Sequence, residues 1–238
     1  MKFKQIGMSL LLAATSFSGI RAQTVDDIIN KYVDAIGGKD KLEQVKTVYI
    51  ENTVQVMGNE GPSTTNIVNG KDYRVESEVN GQKMIQVLTD KGGWQVNPYM
   101  GATTPQPMPD EVYKQSKGQI DVTGPLYNYA AKGNKVELEV KEGNAYKIKI
   151  TNPDAGETTA YIDTATYYLT KISKTGTMMG QDMEITLSFS DFKKTDFGVV
   201  FPYSTEISYG GQFSVTTSTK KIELNKTIDP AIFEMPKS

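Results

Sequence analysis

From Thr47 onward the chain alternates. Val48, Ile50, Val54 and Val56 interleave with Tyr49, Glu51, Thr53 and Gln55, the two-residue period of a half-buried strand. In the next clear run Tyr73, Val75, Ser77 and Val79 share one face and Arg74, Glu76 and Glu78 the other. Asn80-Gly81 then predicts a tight hairpin into Met84–Leu88, which is apolar on nearly every residue apart from Gln86. Lys91-Gly92-Gly93 turns the chain again and delivers Trp94, Val96, Pro98, Tyr99 and Met100. Gly101 to Met108 is rich in Pro and Thr and is expected not to continue the sheet. The second half reads as hairpins. Val136, Leu138 and Val140 pair with Tyr146, Ile148 and Ile150, and Met183, Ile185, Leu187 and Phe189 alternate strictly. About ten or eleven strands at regular spacing predict a single strongly curved antiparallel sheet or barrel.

A different period precedes the strands. Val25, Ile28, Ile29, Tyr32, Val33 and Ile36 follow a 3.6-residue repeat, so one side of a helix is apolar. Thr24 caps it with Asp27 three residues on, Asp26 and Asp27 suit the positive end of its dipole, and Gly37-Gly38 ends it. Short helical pieces are expected over Lys39–Val45 and Pro109–Gln119. An amphipathic helix ahead of a run of strands is expected to pack across the sheet's inner face.

The first 22 residues are expected to be outside the fold. Lys2 and Lys4, an apolar and small-residue core over Ile6–Phe17, and Ala22 before Gln23 have the form of a secretory signal peptide. Residues 23–238 then make one all-β domain, exported and periplasmic. Without Lys2, Lys4 and Arg21 the 26 basic residues fall to 23 against 28 acidic, a net charge of −5. That balance, with no basic cluster, argues against nucleic acid and anionic membrane surfaces as partners.

Zero Cys and zero His remove thiol nucleophiles, disulfides, Ser-His-Asp triads and the usual zinc or copper sites. No catalytic residue, metal or cofactor is assigned. Asp26 and Asp27 are neighbours about 100° apart on the helix, which suits a helix start and not an acid pair. The inward strand residues Val48, Ile50, Val54, Val56, Tyr73, Val75, Ile185 and Leu187 either line a cavity or pack on the helices. Trp94, Tyr99 and Met100, beside the Pro-rich segment, either line the mouth of that cavity or, for Trp94, cap the sheet edge as core. Met178 and Met179 stand near a hairpin tip, where an apolar pair contacts lipid, membrane or a partner, or else is a functionless tip.

These residues resemble a known family. Val25-Asp26-Asp27-Ile28-Ile29-Asn30-Lys31-Tyr32 with Ala35-Ile36-Gly37-Gly38-Lys39, then Gly93-Trp94, Asn97-Pro98, Pro105-Gln106-Pro107-Met108, Gly124-Pro125-Leu126, Tyr161-Ile162-Asp163 and Ser190-Asp191-Phe192, look like exported LolA-like proteins of the Bacteroidota type. The collinear fragments span the mature chain. The resemblance implies an incomplete antiparallel β-barrel of about eleven strands with helices plugging its concave face. It further implies a non-enzymatic carrier or binding protein for lipoprotein acyl chains or another lipid. The alternative is an envelope-stress or protein-interaction module, with a membrane partner, on the same fold. The family's lid-holding arginine is not carried over: Arg74, the one Arg after residue 22, faces away from Tyr73 and Val75. Lacking an N-terminal Cys, the chain also departs from the membrane-anchored acceptor type.

Overall fold

The computed structural model describes residues 23–178 and 181–236, so the expected signal peptide and Met179 lie outside the described residues. The chain opens with α1 (Val25–Ala35) and α2 (Lys39–Gln44). Thr24 and Asp27 cap α1 reciprocally: the Thr24 hydroxyl accepts from the Asp27 N–H at 3.1 Å, and the Asp27 carboxylate accepts from the Thr24 N–H at 3.0 Å. At the other end Gly37 adopts φ 134°, and a Cβ there would stand 3.0 Å from the Gly198 carbonyl oxygen. This close approach lets the Val200 N–H donate to the Ile36 carbonyl at 2.9 Å, pinning the helix to the sheet.

The strands follow in order: β1 (Thr47–Val56), β2 (Asn59–Val68), β3 (Asp72–Val79), β4 (Gln82–Thr89), β5 (Gly92–Asn97) and β6 (Ala102–Pro107). Then come α3 (Asp110–Ser116), β7 (Lys135–Leu138), β8 (Ala145–Asn152), β9 (Gly156–Asp163), β10 (Leu169–Met178), β11 (Gln181–Lys194), β12 (Val200–Tyr209) and β13 (Phe213–Leu224). They form one antiparallel sheet in the order β6-β5-β4-β3-β2-β1-β13-β12-β11-β10-β9-β8-β7. Asn80 and Gly81 take φ values of 54° and 70°, the left-handed pair of a two-residue hairpin turn.

Thirteen described strands exceed the expected eleven. One addition is β6, in the Pro- and Thr-rich segment read from sequence as unable to continue the sheet. It pairs with β5 through Trp94 opposite Pro107 and Gln95 opposite Gln106. At a sheet edge only one side of a strand must bond, so prolines are tolerated there and block further pairing.

The sheet curls. Flat, β2 and β8 would lie seven strand spacings apart, roughly 34 Å at about 4.8 Å each. Yet Ile67 of β2 and Ile148 of β8 belong to one buried cluster with Ile28, Ile29 and Tyr32 of α1, a helix only about 16 Å long. Both wings therefore bend around α1, which fills the concave side, while edge strands β6 and β7 do not pair. The architecture is an incomplete antiparallel barrel plugged by a helix.

Candidate functional site

The helix covers only part of the inner face. Directly opposed partners make a row across it: Val56, Val215, Ile207, Leu187, Ile172, Ala160 and Ile148, on β1, β13, β12, β11, β10, β9 and β8. Ala160 and Ile148 are fully buried in the α1 cluster. The first five are only half-buried, and none of them belongs to that cluster. The neighbouring row, Phe213, Tyr209, Ile185 and Lys174, is half-buried as well. Its Tyr209 and Phe213 rings stack with centroids 4.6 Å apart, and burial pushes the Tyr209 hydroxyl pKa up. Five adjacent strands thus present an apolar surface on the core side of the sheet, about 19 Å across, which runs into the packed core beneath α1.

The sequence-derived lining residues divide along this boundary. Val54, Val56, Ile185 and Leu187 lie on the uncovered part; Val54 is itself buried, the other three half-buried. Val48, fully buried, and Ile50 and Tyr73 lie beneath the helix as core. Burial raises the Tyr73 hydroxyl pKa far above its ordinary value. Val75 is half-buried, opposite Thr65 and Gln86, where the inner face of β2 to β4 turns polar. Phe213, Val215, Ile207 and Ile172 complete the surface and were not singled out from sequence. Their alternation was legible, but not which part of the inner face the helix leaves bare.

Trp94 is on the other side of the sheet. Its partner across the ladder is Val87, which alternates with the inward Leu88. It is 5 % exposed, in a separate cluster with Val87 and Phe233 under the C-terminal tail. The indole N–H donates to the Phe233 carbonyl at 2.9 Å. Arg74 lies 5.6 Å over the indole ring and donates to the Ile232 carbonyl at 2.9 Å. Arg74 also pairs with Glu76, which pairs in turn with Lys83. Burial alone would raise the Glu76 pKa, but hydrogen bonds from Lys83 and Arg74 outweigh it and hold the carboxyl below its ordinary value. Of the two expectations for Trp94, burial as core describes its position, and it shares no surface with Val54 or Leu187.

Tyr99 is 63 % exposed in the helical turn Pro98–Met100 between β5 and β6. This turn lies at the end of the sheet where Met57 closes β1 to β2 and where β11 begins. Met57 is 81 % exposed. The β10–β11 ladder runs on from Ile185, opposite Tyr209, to Met178 opposite Gln181. It therefore outruns β12 by about four residues, roughly 13 Å.

No family model matches this sequence, and no curated protein does. Solved structures do. A LolA superfamily protein from Nitrosomonas europaea superposes with a TM-score of 0.58 at 12% identity, covering 90% of this chain and 98% of that one. An outer membrane lipoprotein-sorting protein domain from Vibrio parahaemolyticus gives 0.56 at 10% identity, covering 86% and 95%. The chain has the LolA-like fold.

Within this LolA-like fold a polar hollow of about 500 Å³ lies between α1 and residues 127–130, rimmed by Asp26, Asp34 and Glu43. Two of its acids are already engaged, Asp26 by the Tyr129 hydroxyl at 2.9 Å and Glu43 by the Tyr127 hydroxyl at 2.8 Å. Among the described residues no three Asp or Glu side chains come together as a metal-binding group. No described helix is long and apolar enough to cross a membrane.

Proposed function

We propose that this protein is an exported carrier that binds an acyl chain, of a lipid or of an acylated protein, on the uncovered inner face of its LolA-like half-barrel. The observation that carries this reading is the run of half-buried apolar side chains over five adjacent strands, on the face where the fold keeps its core. Burying a chain there stabilises it by about 0.8 kcal/mol per CH2, so a dozen methylenes suffice without a charged contact. Val54, Val56, Ile185 and Leu187 line the ligand together with Val215, Ile207 and Ile172. Val48, Ile50 and Tyr73 form the floor that the helix closes.

The chain enters from the end that carries Met57, Tyr99 and the projecting β10–β11 hairpin with Met178. Met57 suits such an entrance because a Met side chain adapts to irregular apolar partners. The protein works in the periplasm after its leader is removed, it passes its cargo toward the outer membrane, and its role is binding without catalysis.

The test is to purify the exported protein without detergent, extract it with organic solvent and weigh the extract by mass spectrometry. One acyl species near one per protein is expected. A clean protein that also fails to take up a fluorescent fatty acid contradicts the carrier reading and turns attention to protein partners.

A further inference from the structure

One charged side chain sits on the uncovered apolar surface. Lys174 of β10 stands directly opposite Ile185, in the row that continues to Tyr209 and Phe213 and two residues along from Ile172. Among the described residues of that surface it is the only charged one. It is half-buried and makes no ion pair or side-chain hydrogen bond among the described residues. Three lysines on the outer face of β8 and β10 are engaged. Lys147 meets Glu139 at 3.3 Å, Lys149 meets Glu157 at 2.7 Å, and Lys171 lies 3.7 Å over the Tyr161 ring. The nearest acids along β11, Glu184 and Asp182, stand opposite Thr175 and Thr177 and so belong to the outer face. A cation in an apolar surface, with every neighbouring acid turned away, is left for a partner from outside the chain.

We propose that the ligand is a long-chain carboxylate, its acyl chain lying along the Ile172–Leu187–Ile207–Val215 row and its head paired with the Lys174 ammonium. This rests on the carrier reading and adds the head group to it. A single ammonium matches a monoanion. Phosphate recognition favours the planar fork of arginine, and the only Arg among the described residues, Arg74, faces outward and is bound to Ile232 and Glu76. The chain and head also fit one another in length, because the row leads from Lys174's own neighbour Ile172 across four further strands.

The measurement is displacement of N-phenyl-1-naphthylamine from the delipidated protein by hexadecanoate, its methyl ester and hexadecyl phosphate. Wild type should bind hexadecanoate about tenfold more tightly than the ester, the scale of one charge-assisted contact at a half-exposed site. Lys174→Met should remove that preference, so that acid and ester bind alike, and Lys174→Arg should keep the preference. Equal affinity of wild type for acid and ester overturns the pairing while the carrier reading stands, since the lysine head then simply reaches solvent. Tighter binding of the phosphate than of the carboxylate overturns the choice of head group. Failure of all three compounds to displace the probe overturns this proposal and the carrier reading together. The wild-type comparison decides the matter even if Lys174→Met does not fold.

Discussion

Trp94 and Arg74 show how much one side chain's facing decides. The indole gives its hydrogen bond to the Phe233 carbonyl, and the guanidinium covers its ring while holding the Ile232 carbonyl. Together they fasten the C-terminal tail to the outer face. Trp94→Phe keeps the apolar burial but leaves the Phe233 carbonyl unpaired, so it should cost about 1–2 kcal/mol in urea unfolding. Ligand affinity should stay at the wild-type value, because the opposite face is untouched. A large loss of binding with unchanged stability would place Trp94 at the ligand after all. Beside it, Glu76 is held below its ordinary value by Lys83 and Arg74, against its burial. A depressed folded-state pKa stabilises above the unfolded value, about 4.3 for Glu, and that contribution is lost as pH falls through the folded value. Glu76→Gln should therefore flatten the stability curve in the window below about pH 4.3. An unchanged acid limb, followed by urea midpoints from neutral pH to pH 3, would assign the pH dependence elsewhere.

At the scale of elements, α1 joins capping to packing. Its reciprocal Thr24–Asp27 cap orders the first turn, and its buried Ile28, Ile29, Tyr32 and Val33 close the floor of the inner face. Thr24→Ala should cost about 1 kcal/mol, a fall of about 2–4 °C in Tm for a chain of this size. Calorimetry that finds no shift would mean the helix is held by its packing alone. These features were legible in the sequence because they are local: the cap lies within four residues, the Asn80-Gly81 turn within two, and the strand faces follow from alternation. The edge strand β6 was not legible, because a proline's harm depends on whether a neighbour exists on both sides. Nor was the placement of Trp94, since the tail that covers it arrives from 139 residues away. One signal did point there. Apart from Gln86, Met84–Leu88 is apolar without alternation, and Val87 and Leu88 are both fully buried, one under the tail and one toward Met108 and Ile120. A run of that kind means that both faces of the sheet are covered.

At the scale of the molecule, the curl of the sheet makes a binding surface out of ordinary strands. The thirteen described strands give more inner face than the 11-residue α1 can cover. The remainder, from Val56 to Ile172, is where apolar groups stay half-exposed on the core side. Periodicity tells which residues face inward but says nothing of how far a helix reaches across a curved sheet. For that reason the sequence-derived lining set contained both floor and surface. The most direct measurement is to load the protein with a diazirine-bearing hexadecanoate, irradiate, and locate the adducts by peptide mass spectrometry. Labelling is expected on the inward residues of β1 and β10 to β13, with Val56, Val215, Ile207, Leu187 and Ile172 foremost. Labels on Val87, Trp94 or the tail, or labelling that unlabelled hexadecanoate does not suppress, would contradict it.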